Sequence, residues 1–148
     1  MKSIKLFLAV VIASAFTMTS CSNDDDAGIS TDGNIVGTWN YNRTITNLNG
    51  QETSQEYTSH EPGCEKDFQE FVAGGVFRDV VIYKNASNVC TEDAESGTWT
   101  KSGNTLTLTG NEAGTYQIIR LDGSELHYQS TSTTGGVTLT VTRVFTKN

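Results

Sequence analysis

Basic residues are scarce in this chain: 10 lysines and arginines stand against 17 aspartates and glutamates, and they form no stripe. So acidic a chain is a poor partner for nucleic acid or anionic lipid headgroups, and both are set aside as ligands. The only histidines are His60 and His127, and neither stands in a recognisable Ser/His or Cys/His signature. His127 alternates with Leu126 and Tyr128 and is expected to face solvent. The acidic cluster Glu61, Glu65, Asp67 and Glu70 matches no two-carboxylate spacing and reads as a solvated face. The sequence therefore points away from an enzyme. Long apolar runs are lacking too, since residues 6–16 supply roughly 11 weakly polar to apolar positions where a membrane-spanning helix needs ~20.

That short run does carry information. Lys2 and Lys5 precede it, which makes an n-region followed by an h-region, the pattern of a targeting segment rather than of structure. Met18-Thr19-Ser20-Cys21 follows and resembles a bacterial lipobox, so residues 1–20 are expected to be a lipoprotein signal peptide and Cys21 the lipid attachment site. The alternative is cleavage by ordinary signal peptidase with Cys21 left as a thiol. Acyl chains contribute about 0.8 kcal/mol per buried methylene, so two or three of them would hold the protein on a membrane almost permanently. Residues 21–33, with Asp24, Asp25 and Asp26, read as a flexible acidic tether. The tract resembles the signal that sends lipoproteins of Bacteroidota to the outer face of the outer membrane; the periplasmic face is the other location. Processing removes two of the 10 basic residues and none of the 17 acidic ones, which takes the net charge from −7 to −9.

Three cysteines are an awkward number for an exported protein, and lipidation of Cys21 leaves one even pair. Cys64 and Cys90 would then form a disulfide closing a loop of roughly 27 residues, worth about 3 to 4 kcal/mol on the chain-entropy model. The rival is a metal site with His60, Cys64 and Cys90, but it lacks CxxC or HxxxH spacing and a fourth ligand. No metal or cofactor is expected.

Residues 34–148, about 115 positions, suit one domain with a single core. Their pattern has period two almost throughout, the mark of half-buried strands. Ile35, Gly37, Trp39 and Tyr41 share one face. Leu106 and Leu108; Tyr116, Ile118 and Arg120; Leu126 and Tyr128; and Val137, Leu139, Val141, Arg143 and Phe145 repeat the alternation. Turn signals fall at Asn49-Gly50, Gly74-Gly75, Gly103-Asn104, residues 110–114, Asp122-Gly123 and Gly135-Gly136. The result is an all-β antiparallel meander of about eight short strands. Cys64, Phe68 and Phe71 could share a helix face, but Val80 to Tyr83 favour strand, so a hairpin around Gly74-Gly75 is the preferred reading. A sandwich and a closed barrel both remain open, and closure is the fuller answer to exposed strand edges.

Gly37-Thr38-Trp39 in the first strand looks like the Gly-x-Trp start of lipocalins, and Arg143 in the last strand is similar to the late arginine that stacks over that tryptophan in the family. A cation–π contact between Arg143 and Trp39, worth about 0.5 to 2 kcal/mol, would plug the closed end. The order of Gly-Thr-Trp, two cysteines flanking a phenylalanine-containing hairpin, Gly97-Thr98-Trp99 and the Gly103-Asn104-Thr105-Leu106-Thr107-Leu108 strand resembles the lipocalin-like lipoproteins of Bacteroidota. The first strand also looks like that of an avidin, but a biotin site in that family needs several tryptophans, and here there are Trp39 and Trp99 alone.

The resemblance implies a small up-and-down β-barrel of about eight strands holding a small apolar or amphipathic ligand, with Tyr41, Leu108, Tyr116, Ile118, Tyr128 and Leu139 as lining residues. An eight-stranded barrel is only just wide enough to be filled by its own side chains or to admit one small ligand. The other reading is a filled scaffold that presents polar loops, residues 51–63 or 84–96, to a surface protein or a glycan.

Overall fold

The structure is a computed structural model that describes residues 30–148. The signal run, Cys21 and residues 22–29 of the expected tether lie outside the described residues. Among the described residues nine strands follow in order: β1 (Gly37–Leu48), β2 (Gln51–Glu56), β3 (Phe68–Val72), β4 (Val76–Lys84), β5 (Cys90–Ser102), β6 (Thr105–Leu108), β7 (Gly114–Leu121), β8 (Glu125–Thr134) and β9 (Val137–Lys147). All pairings are antiparallel: β3 to β8 each pair with the next strand, β1 pairs with β2 and β3, and β9 returns to pair with β1, so β1 and β3 to β9 close an eight-stranded barrel. The hairpin reading of the phenylalanine segment holds, with Phe68 opposite Val80 and Phe71 opposite Phe77. All six turn signals fall at strand junctions. At the first, Asn49 and Gly50 both take positive φ, 51° and 87°, which sets the two-residue turn whose twist suits the flanking strands.

Inward positions of these strands fill the barrel. Trp39, Phe71, Phe77, Leu106, Leu108, Ile118, Leu121, Leu126, Tyr128 and Phe145 form one buried cluster with Ile35, and burial of each large side chain contributes about 1.5 to 3 kcal/mol. A second, smaller cluster lies on the opposite face of β3 and β4, where Phe68, Val80 and Ile82 pack beneath Cys64. Cys64 and Cys90 are joined by a disulfide, which leaves neither sulfur as a thiolate for a metal. Their bond pins the connection between β2 and β3 over this second cluster.

The structure differs from the sequence reading at several places. A bulge between Tyr41 and Arg43 inserts one extra residue into β1 opposite β9. At that point β1 changes partner on its other edge: Gly37 to Asn40 pair with β3, whereas Arg43 to Leu48 pair with β2. The ninth strand, β2, was expected as loop; it forms because β1 offers it a free edge beyond the bulge. With β2 and the start of β5 in strands, the connections in the regions read as loops shrink to residues 57–67 and 85–89. Backbone order also begins before residue 34, because Leu121 N–H donates to Ser30 O at 2.6 Å and Gly33 N–H to Leu121 O at 3.2 Å.

Candidate functional site

Beyond the filled core lies the mouth of the barrel. There a cavity of about 280 Å³ is lined by Tyr41, Arg43, Thr44, Tyr57, Asp79, Val81, Glu112 and Arg143. Its floor is a directional hydrogen-bond chain. Tyr128 O–H donates to Gln69 Oε1 at 2.8 Å, Gln69 Nε2 to Tyr41 Oη at 3.0 Å, and Tyr41 O–H to Asp79 Oδ1 at 2.7 Å. Each polar atom in the chain has a partner, as burial in a low-dielectric interior demands. Burial, reinforced by Asp79, pushes the Tyr41 phenol above its ordinary 10, and burial does the same to Tyr128. Both stay neutral, so the floor offers hydroxyl dipoles and no phenolate.

The rim is built by residues 57–67. Tyr57 stacks on Tyr41 with ring centroids 4.8 Å apart and donates its hydroxyl to Asp67 Oδ2 at 2.7 Å, while Ile82 N–H donates to Asp67 Oδ1 at 2.7 Å. Asp67 is fully buried, and these bonds hold the rim against β4. His60 joins the same latch. Its Nδ1 accepts from Asp67 N–H at 2.9 Å, so Nε2 carries the ring proton toward Tyr41 O at 3.1 Å.

Of the six lining residues named from sequence, Tyr41 reaches this cavity. Leu108, Ile118 and Tyr128 are packed in the core, and Tyr116 lies against it beside Tyr128, with its hydroxyl donated to Glu112 O at 3.1 Å. Leu139 sits half-buried opposite Leu48, above the mouth. The expected Arg143–Trp39 stack is corrected. Lys147 lies over Trp39, its Nζ 4.1 Å from the ring centroid, and donates to Val36 O at 3.0 Å. Trp39 does sit fully buried, its indole N–H donating to Ile35 O at 2.7 Å. Register is the reason: Trp39 faces Lys147 across the β1–β9 seam, whereas Arg143 faces Thr44, four residues and so about 13 Å further along the strand. Arg143 instead enters the mouth and donates to Glu112 Oε2.

Sequence reading missed Tyr57, Asp79, Glu112 and Gln69. Asp79 had a legible signal, because it alternates with Phe77 and Val81 on the inner face of β4. Tyr57 and Glu112 stand in polar connecting segments where no periodicity reports a direction.

His127 is a further correction. It points outward, but its side chain is only 13% exposed, in a hollow shared with Ile45, Ile119, Gln129 and Thr142. Burial drives its pKa below the ordinary 6.5, with Arg120 and Arg43 acting in the same direction against the pull of Glu125. A depressed histidine stabilises the fold above its unfolded pKa, and that contribution fades as pH drops through 6.5 toward the folded value. The urea midpoint is therefore expected to decline between pH 7.5 and 5.5. A His127→Gln variant should decline less, and equal declines in the two proteins would count against burial as the cause.

A closed eight-stranded antiparallel barrel with a packed base and a concave mouth is an architecture that in general suits the binding of small ligands. The chain belongs to the lipocalin-like domain family, whose model matches residues 35–128. No curated protein matches the sequence. Among solved structures, lobster apocrustacyanin A1 is similar with 14% identity and a TM-score of 0.43, over 76% of this chain and 60% of that one. The chain thus spans three fifths of that relative's length.

Proposed function

We propose that this is an exported, lipid-anchored protein whose barrel mouth binds a small amphipathic ligand. The anchor rests on the signal-like run and on Cys21 in its lipobox-like setting. The ligand site rests on one observation: a cavity of about 280 Å³ lies above a core that side chains already fill. That volume is just under the ~300 to 1,000 Å³ of usual ligand sites, so the part of the ligand held there is small. An apolar portion has somewhere to go. By alternation from Val81 and from Arg143, the mouth-facing sides of the strands carry Val81 and Tyr83 on β4 and Val137 on β9, and Leu48 on β1 follows Thr44 in the same way; all four are exposed large apolar side chains.

The filled interior also supports a second reading, a scaffold that recognises a surface protein or glycan, with the fully exposed β2 strand as its most accessible element. Native mass spectrometry separates the two. The mature chain with Cys21→Ser, purified from its own kind of cell, is expected to carry a mass increment that disappears on denaturation. Filling the mouth with Thr44→Trp should abolish the increment and leave the melting temperature close to that of the parent. A bare parent mass would remove the ligand reading and favour the scaffold.

A further inference from the structure

Arg143 is a cation set into a ligand cavity, and its carboxylate partner comes from the chain's own β6–β7 connection. Residues 109–113 cross the mouth and touch both of its walls: Glu112 accepts from Arg143 on β9, and Asn111 Nδ2 donates to Asp79 Oδ2 on β4 at 3.3 Å. The first residue of the crossing is anchored, since Thr109 N–H donates to Thr98 O at 2.9 Å, Thr98 N–H donates to Thr109 Oγ1 at 2.7 Å and the two hydroxyls lie 3.0 Å apart; few other ties hold residues 110–113. Ala113 N–H donates to Gly110 O within the turn itself, and Tyr116 O–H donates to the Glu112 carbonyl. Gly110, with φ of 92°, lies where an added Cβ would meet Ser96 O at 2.9 Å, so only glycine fits this end of the crossing, where it packs closely against β5.

Building on the mouth-binding reading, we propose that the ligand is an amphiphile with a carboxylate head, and that its carboxylate replaces Glu112 on Arg143 while residues 110–113 swing aside from the anchored Thr109. Glu112 is an internal competitor, a tethered copy of the head group. The chemistry favours an anion over a cation at this position. Arg143 is half-buried and its guanidinium is donor-only, so an incoming ammonium would meet an uncompensated like charge once Glu112 moved. The second carboxylate of the cavity, Asp79, lies on the opposite wall and accepts from Tyr41, a bond that does not depend on the crossing.

The test titrates dodecanoate, dodecanol and dodecyltrimethylammonium, each below its micelle concentration, into the mature chain with Cys21→Ser, with and without Glu112→Gln. Removing the competitor's charge should tighten dodecanoate at least about tenfold, with dodecanol little changed. Arg143→Gln should erase the preference for dodecanoate over dodecanol. Asn111→Ala frees the crossing from the other wall without touching the ion pair, and should tighten dodecanoate more modestly; it keeps the idea testable should Glu112→Gln fold poorly. Dodecanoate binding that is unchanged or weakened by Glu112→Gln, or a preference for the ammonium, would overturn the carboxylate assignment alone. If none of the three probes binds, the mouth-binding reading itself fails.

Discussion

Trp39→Ala is expected to lower the melting temperature by about 12 to 20 °C. Trp39 is fully buried at the closed end of the barrel, among the largest side chains of the cluster that Phe71, Phe77 and Phe145 complete. Truncating a buried tryptophan to alanine costs about 3 to 5 kcal/mol, from lost transfer energy and from a cavity the surroundings only partly refill. For a domain of about 120 residues each kcal/mol corresponds to roughly 4 °C. Two attached interactions fall with the ring: the indole hydrogen bond to Ile35 O, and the Lys147 ammonium above its face. Lys147→Met separates the cation from the packing. It removes the charge over the ring, worth about 0.5 to 2 kcal/mol, together with the hydrogen bond to Val36 O, and keeps an apolar stem over the ring. Thermal melts of both variants should show Trp39→Ala losing several times more than Lys147→Met. Comparable losses would mean that the closed end is held by its cation and not by its ring.

How far the sequence disclosed this architecture depends on what alternation reports. Period two gives the face of a residue but not its height in the barrel. Hence Arg143 was rightly turned inward and wrongly paired with Trp39, since only the β1–β9 seam sets which cation reaches which ring. The bulge at residue 42 is invisible for the same reason: one extra residue flips the alternation of β1 after Tyr41, and nothing in the composition near Asn42 announces it. Strand β2, with sequence Gln-Glu-Thr-Ser-Gln-Glu, has no apolar residue and so no pattern. It is a strand because of the edge it meets, not because of its own side chains. The inward face was legible where it is apolar, as in Leu106, Leu108, Ile118, Leu126 and Tyr128, but not that Leu108, Ile118 and Tyr128 fill the core instead of lining a cavity. The mouth was legible only in Tyr41, Asp79 and the inward turn of Arg143, because the rest of its chemistry comes from Tyr57 and Glu112 on connections that tertiary contacts alone aim inward. The disulfide was legible by counting, which needs no geometry.

The same counting leads to the second large effect. Replacing both Cys64 and Cys90 with serine should destabilise the domain by about 3 to 4 kcal/mol, on the loop-entropy scale for a closed segment of roughly 27 residues, which is about 12 to 16 °C in melting temperature. Because a cross-link compacts the unfolded chain, its removal should also steepen the dependence of stability on urea. The effect is not confined to the unfolded state. Cys64 covers Phe68, Val80 and Ile82, and the segment it anchors carries Tyr57 over Tyr41 at the rim of the mouth. Below Cys64 the segment keeps a second fastening, since Asp67 is fully buried and accepts from both Tyr57 and Ile82. The bond and the carboxylate therefore divide the work: the disulfide limits the freedom of the unfolded chain, and Asp67 sets where the rim lies once folded. Urea titrations of the double-serine variant and of the reduced parent should agree in midpoint and slope, and ligand binding in both should persist at a reduced affinity. A midpoint shift with unchanged slope would place the effect in the folded rim, and no shift at all would remove the disulfide from the stability of the barrel.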